Sequence, residues 1–335
     1  MSAPIWLLPQ GVNEILPQEA AKLEKLRRNI LDGFQARGFN LVFPPMIEFL
    51  DNLIQGAGAE LTTQTFKVPD YDSHKTLGIR ADMTPQIAQI DAHRLATNTI
   101  NKLCYIGTVL RTKPMTLGAS RELLQIGAEI FGEESLNADK NIIDAMLEMH
   151  ELSFEALGIS NITLSLSHVG IFSALIDALN IDSILSNQIY DALLRKSTPD
   201  ILALNDSSDY NLGAFVALSK ARGDISVLEK FQNNAAVKLS IAEHEASAHK
   251  IQQATSELSE LAEHVKQSSD VNLHIDLSEL HGYRYHTGLT FQTFTKGEGR
   301  AIAKGGRYHG FSGSNQKPRA ATGFSADLKL LASQS

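Results

Sequence analysis

The sequence predicts an α+β fold in which an antiparallel sheet flanked by helices is interrupted by a helical insertion. Three observations carry this reading. Two strand patterns, residues 103–111 and 124–131, flank a ten-residue segment that contains Pro114 and Gly118, as in a long, mobile hairpin loop spanning 112–121. Strand patterns vanish between 175 and 267, where helical spacing takes over. They return at 271–277 and 287–294. The β-rich part is therefore discontinuous: residues 1–174 and 268–335 form one core, and residues 175–267 an inserted helical module.

The elements follow in order. Residues 17–37 read as an opening helix: Pro17 suits a first turn, Leu23, Leu26, Ile30 and Phe34 recur at helical spacing, and Gly38 is a natural stop. A short strand, 40–43, ends at Pro44-Pro45, which cannot continue a central ladder. Residues 139–157 read as a helix stopped by Gly158. Ile162, Leu164 and Leu166 then alternate with Thr163, Ser165 and Ser167, the pattern of a half-buried strand. Within the insertion, Ile251, Ala254, Leu258, Leu261 and Val265 mark the buried stripe of a long helix. One short helix after Gly323 closes the chain.

Composition narrows the function. The 335 residues are 43% hydrophobic and 20% charged, ordinary for a soluble globular protein. No apolar run approaches the roughly 18 residues that a membrane span needs. The start, Met-Ser-Ala-Pro-Ile-Trp-Leu-Leu-Pro, lacks a basic signal-peptide region. Cys104 is the single cysteine, which excludes an intrachain disulfide and a multi-cysteine metal site. We expect a cytoplasmic protein without a membrane partner, cofactor or metal. The net charge of −8 and pI of about 5.8 argue against nucleic acid as the main partner.

Four groups of residues could carry chemistry. In the strand Leu124-Gln125-Ile126-Gly127-Ala128-Glu129-Ile130, side chains alternate, so Gln125, Gly127 and Glu129 share one face. Gln125 and Glu129 lie roughly 13 Å apart at ~3.3 Å per residue, enough to bracket a small zwitterion over Gly127; a solvated strand face is the other reading. In Arg80-Ala81-Asp82-Met83-Thr84-Pro85, a carboxylate and a hydroxyl precede a helix-compatible proline. They suit either a helix cap or an ammonium site. The dense turn His281-Gly282-Tyr283-Arg284-Tyr285-His286-Thr287-Gly288 is either a decorated hairpin or a binding turn. Lys304-Gly305-Gly306-Arg307-Tyr308 lets a backbone or ligand approach closely. His244-Glu245 with His249 is not the zinc-protease pattern, because its histidines are five apart rather than four. The phosphate-loop and nucleophile-elbow motifs do not occur.

These segments together resemble class II aminoacyl-tRNA synthetases, specifically histidyl-tRNA synthetase, over residues of about 5–170 and 270–332. Residues 39–48, with Pro44-Pro45, resemble the dimer-forming motif 1. Residues 103–132, with Arg111, Arg121 and Gln125 to Gly132, resemble the motif 2 strand-loop-strand. Gly305-Gly306-Arg307-Tyr308 and Thr322-Gly323-Phe324 resemble the run of motif 3. Carried over residue by residue, the likeness implies a histidine pocket of Asp82, Thr84, Arg111, Gln125, Glu129, His281 and Tyr285. Asp82 and Thr84 match the ammonium-holding positions, Gln125 the motif 2 glutamine, Glu129 the imidazole-reading glutamate, and Tyr285 a side-chain-reading tyrosine.

The likeness fails on the ATP side. Arg111 is kept, but Lys113 stands where the synthetases have glutamate. Leu330, beside Lys329, stands where a triphosphate-clamping arginine belongs. His281 replaces the arginine implied in adenylate formation. A neutral imidazole does not replace a permanently charged, bidentate guanidinium, and one such donor is worth ~3 kcal/mol in a transition state. With the motif 3 likeness ending near the last residue of the sequence, we also expect no anticodon-binding domain of the synthetase kind. This pattern resembles the regulatory-subunit family of ATP phosphoribosyltransferase. The resemblance implies no catalytic residues, activation of a short-form catalytic subunit in histidine biosynthesis, feedback by histidine, a self-dimer through the motif 1 region and a hetero-octamer. The alternative is an active adenylate-forming enzyme. The loop 112–121 and the turn 281–288 are the expected moving parts.

Overall fold

The computed structural model describes residues 7–54, 59–114, 119–154, 161–283, 285–312 and 318–333. The tip of the 112–121 loop (115–118), Arg284, Gly158 and the first six residues lie outside the described residues. Twelve strands occur in chain order among those described: β1 Asn40–Val42, β2 Ile47–Phe49, β3 Phe66–Pro69, β4 Thr76–Ile79, β5 Asn101–Leu110, β6 Glu122–Phe131, β7 Ile162–His168, β8 Arg222–Gly223, β9 Asn272–Asp276, β10 His286–Thr295, β11 Ala303–Ser312 and β12 Pro318–Asp327. The chain divides into two compact units. The first holds Met1–Glu134, Ala145–Leu157 and His309–Ser335; the second holds Ser135–Asp144 and Gly158–Tyr308.

In the first unit the strands run in the order β1-β5-β6-β12. β5, β6 and β12 are antiparallel, while β1 adds in parallel to β5. The hairpin expected from sequence is present, and its strands extend to Asn101 and Glu122. The opening helix spans Pro17–Ala36, with Gly38 in the left-handed conformation (φ 82°) just beyond it. Its Leu26, Ile30 and Phe34 are buried, and the Phe34 ring meets Phe324 of β12 edge-on at 5.9 Å. Burying such a side chain contributes about 2–3 kcal/mol. β12 runs straight through Gly323, so the last helix begins only at Leu328. A small antiparallel sheet, β2-β4-β3, was not legible from the sequence.

In the second unit the order is β11-β10-β7-β9-β8, with β7 and β9 parallel. Helices fill most of the chain from Val169 to Ser268. The longest, Glu245–Ser268, buries Ile251, Ala254, Leu258, Leu261 and Val265, the stripe that the spacing predicts. Asp182 caps the helix Ser183–Leu194 by accepting from the backbone N–H groups of Ile184 (2.8 Å) and Leu185 (2.9 Å). The α+β class with a helix-flanked, largely antiparallel sheet is the architecture observed.

Candidate functional site

One face of the β5-β6-β12 ladder carries Gln125 and Glu129 of the expected site. Register sets Leu103, Glu129 and Gly323 side by side, then Tyr105, Gly127 and Ser325, then Gly107, Gln125 and Asp327. Glycines on this face mark where large polar groups lie flat. A Cβ at Gly107 would collide with the Arg80 guanidinium. At Gly127 it would come within 2.5 Å of the Tyr105 hydroxyl, and at Gly323 it would fall inside the Glu129 carboxyl group. This corrects one expectation: the space over Gly127 is filled by the Tyr105 phenol rather than left open for a ligand. The solvated-face reading is also excluded, since Gln125 is 4% and Glu129 1% exposed.

Hydrogen bonds join Asp82, Thr84, Gln125 and Glu129 into one array. The Met83 backbone N–H donates to Gln125 Oε1 (2.9 Å), which fixes the orientation of the amide. Gln125 Nε2 then donates to Asp82 Oδ1 (3.1 Å). The same Asp82 oxygen accepts from the Thr84 backbone N–H (2.8 Å). Asp82 thus accepts from the first residue of the helix Thr84–Gln89, whose N-cap position is Met83, while also facing Gln125. Tyr105, fully buried, closes the array. Its hydroxyl donates to Glu129 Oε1 (3.1 Å) and lies 3.1 Å from Thr84 Oγ1. Burial first, then the Glu129 and Asp82 charges, push the Tyr105 phenol well above its ordinary range, so it stays a protonated donor.

Tyr105 is the member of this array that sequence reasoning missed. Its signal is Gly127: a glycine inside a strand marks close approach by another group, and here that group is Tyr105. Arg80 is a second omission. Its Nη1 donates to Pro44 O (2.7 Å) and its Nε to Thr108 O (2.8 Å), tying the proline pair to β5. Gln86 adds bonds to Pro45 O (2.8 Å) and Glu48 Oε1 (2.7 Å). Asp82 and Thr84 therefore sit between two anchors on the Pro44–Glu48 stretch.

Arg111 lies at the edge of this array, its Nε donating to Ala81 O (3.3 Å). Its backbone pairs with Arg121, whose Nε donates back to Arg111 O (3.0 Å) and whose guanidinium lies 5.2 Å from the Phe66 ring centre. Lys113 is exposed. Leu330 is 9% exposed within the helix Leu328–Ser333, and the neighbouring Lys329 Nζ bonds Glu122 O (3.2 Å) and Oε2 (3.3 Å).

Tyr285 and His281 belong to the second unit. The Tyr285 ring stacks on Tyr308 at 4.8 Å, with 23° between the planes. His281 bonds Glu279 through its ring Nδ1 and through its backbone N–H (3.0 Å). Between them, Tyr283 meets Phe172 edge-on at 4.9 Å and so pins the turn to the helix Val169–Ala178. The hydrogen bond to Glu279 raises the His281 pKa above 6.5, against burial and the Lys304 and Lys196 charges. Burial alone would raise Glu279, but His281 and Lys196 together hold it at about 2. A raised histidine pKa stabilises the fold fully below 6.5, and that contribution is lost as pH rises through the raised value. His281→Ala should therefore lower the melting temperature more at mildly acidic than at mildly alkaline pH. The effect should be small, because the His281 side chain is 66% exposed. Melting curves across that range check it; an equal loss at both ends would sink the pair as its cause.

Among the described residues there is no group of three or more His, Cys, Asp or Glu side chains able to hold a metal ion, and no helix is long and apolar enough to cross a membrane. Residues 11–331 match the family model described as histidyl-tRNA synthetase. A relative from Thioalkalivibrio sulfidiphilus, an ATP phosphoribosyltransferase regulatory subunit, is 40% identical over 330 residues, which cover 97% of this chain and 80% of the relative. The fold is shared with an ATP phosphoribosyltransferase regulatory subunit/histidyl-tRNA synthetase from Bacillus halodurans: TM-score 0.84, 22% identity, covering 99% of this chain and 84% of that one. It is also shared with a chain of the ATP phosphoribosyl transferase (HisG:HisZ) complex from Thermotoga maritima: TM-score 0.65, 17% identity, covering 90% and 96%. The sheet is thus of the class II synthetase kind, and the chain belongs to the family of ATP phosphoribosyltransferase regulatory subunits, akin to histidyl-tRNA synthetase in sequence and fold.

Proposed function

We propose that this chain is a non-catalytic regulatory subunit that activates a short-form catalytic ATP phosphoribosyltransferase and carries feedback by histidine. The observation that carries the proposal is the hydrogen-bonded array of half-buried Asp82 and Thr84 with buried Tyr105, Gln125 and Glu129. Burying so many polar groups is costly unless they are satisfied, and a binding pocket is a reason to keep them. Asp82 and Thr84 offer acceptors to an ammonium group, and Glu129 offers a carboxylate to an imidazole N–H. Arg111 borders the array, and the resemblance to histidyl-tRNA synthetase adds Tyr285 and His281 to the proposed histidine-binding residues. The adenylation side has no comparable support: Leu330 is apolar and buried, and Lys113 reverses the charge of a glutamate.

The catalytic partner is suggested by the Thermotoga maritima complex, and the hetero-octamer by the family resemblance. A self-dimer through the motif 1 region is favoured by the apolar side chains exposed there: Phe43 (71%), Ile47 (51%), Met46 (45%) and Leu41 (43%). Feedback then follows from linkage: histidine must bind one state of the assembly better than another, and the catalytic subunit must shift histidine affinity by the same factor.

The test is an assay of the partner phosphoribosyltransferase with and without this chain, across histidine concentrations. We expect activity to need the chain and to fall as histidine rises. Activity independent of the chain would overturn the proposal, as would robust ATP–pyrophosphate exchange by the chain alone with any amino acid.

A further inference from the structure

A phenol has one hydrogen to give. Tyr105 donates it to Glu129 Oε1 (3.1 Å). The remaining contact, Thr84 Oγ1 to the Tyr105 hydroxyl (3.1 Å), must then run the other way, with the threonine hydroxyl donating to the phenolic oxygen. The hydrogens point in one direction, from Thr84 to Tyr105 to Glu129. Thr84 has therefore spent its only hydrogen and presents lone pairs. Beside it, Asp82 Oδ1 is taken up by the Thr84 N–H and Gln125 Nε2, whereas Asp82 Oδ2 has no hydrogen-bond partner among the described residues. Asp82 and Thr84 thus both turn acceptor atoms to this end of the array. Gly127 is what lets the phenol reach this place, since a Cβ there would come within 2.5 Å of the hydroxyl.

We propose that Tyr105 is the residue that sets the specificity of this pocket for an amine: by taking the Thr84 hydrogen, it makes Thr84 an obligate acceptor and so favours a ligand bearing an ammonium group. Tyr105 touches Thr84 and Glu129 rather than the ligand, so it is a positioning residue. It acts in this way if the pocket holds an amino acid, as proposed above. Phenylalanine at 105 would leave the Thr84 hydrogen without its acceptor, so the hydroxyl would no longer be held with its lone pairs toward the ammonium. It would also remove one donor from Glu129. The two effects separate by ligand: damage at Glu129 touches any imidazole, whereas damage at Thr84 touches only a ligand with the amine.

Calorimetric titration with L-histidine and with imidazole-4-propionate, its deaminated analogue, tests this in the full-length protein. Tyr105→Phe should weaken L-histidine about 10-fold, the effect of one hydrogen bond, and the analogue less than about 2-fold. Thr84→Val, which removes the acceptor itself, should weaken L-histidine at least as much, and the double variant should cost less than the sum of the two, since they share one interaction. Thr84→Ser, which keeps the hydroxyl, should bind as the wild type does. Equal weakening of both ligands, or no change in either, would overturn the role of Tyr105. A separate readout needs no ligand. The isotope-labelled tyrosine Cζ signal that disappears in Tyr105→Phe should shift in both Thr84→Val and Glu129→Gln. A signal that moves in neither shows that the hydrogen-bond chain does not exist and overturns the proposal. Wild-type protein that binds no histidine, yet shows both shifts, overturns the pocket's assignment to histidine and keeps the chain of hydrogens.

Discussion

Gly323→Ala is expected to destabilise the protein by about 3 kcal/mol, the upper part of the range for overpacking a core, and to abolish histidine binding with it. Gly323 pairs with Glu129 across β12 and β6. The added methyl would occupy the place of the Glu129 carboxyl group and lie 2.8 Å from Ala128 O. The carboxyl cannot simply swing aside, because Glu129 is 1% exposed and held by the Tyr105 hydroxyl. Moving it would also strip Tyr105 of its acceptor. Thermal melting and calorimetry with histidine read both effects. The double variant Gly323→Ala with Glu129→Ala should recover much of the lost stability without recovering binding, because the clash is with the side chain proposed to bind. Wild-type melting and binding in Gly323→Ala would show that the carboxylate does not rest on this glycine.

The same geometry explains what the sequence could and could not disclose. Alternation exposes a strand when its two faces differ in polarity, which is why Ile162 to Ser167 and the Gln125-Gly127-Glu129 face were legible. β5 is buried across Leu103–Ile106 on both faces, so nothing in its own pattern singles out Tyr105. Its partners lie 21 and 24 residues away, and the β5–β6 register that brings them together depends on a loop whose length alone does not fix it. β11 was hidden for another reason. Lys304-Gly305-Gly306-Arg307 shows only that a backbone or ligand can approach closely, and the backbone is β10's: the glycines are strand residues paired with it, where a Cβ at Gly306 would meet Leu289 O at 2.5 Å. β3 and β4 are four residues each, too short for a period to emerge. The helical stripe from Ile251 to Val265 spans four turns, and length made it plain.

Position along the chain also gives the pocket a route to the assembly. Arg80 and Gln86 both grip the Pro44–Pro45 carbonyls, and Asp82 and Thr84 lie between them. The exposed apolar residues Phe43, Met46 and Ile47 belong to that same stretch. A ligand that shifted Asp82 and Thr84 would pull on backbone shared with the surface proposed for self-association. That is a contiguous physical connection rather than a demonstrated coupling, and separating binding from assembly is what tests it.

Glu129→Gln makes that separation. The amide matches the carboxyl in size, and its oxygen can still accept from Tyr105, so the fold and the surface around Phe43 should be untouched. What changes is charge. A hydrogen bond to an ionised group contributes about 1.5–3 kcal/mol, so replacing the carboxylate should weaken histidine by roughly 10- to 100-fold. Calorimetry measures that loss, and light scattering of the chain mixed with its catalytic partner should give the same mass as wild type. The consequence for regulation is sharper than for binding. An assembly containing Glu129→Gln should still activate the phosphoribosyltransferase, yet hold its activity at histidine concentrations that shut down the wild type. Feedback lost with activation kept requires that the two depend on different parts of the chain, the buried strand face for one and other surfaces for the other. If Glu129→Gln instead dissolves the complex, or binds histidine as tightly as wild type, the buried face is a structural element and the sensing site lies elsewhere.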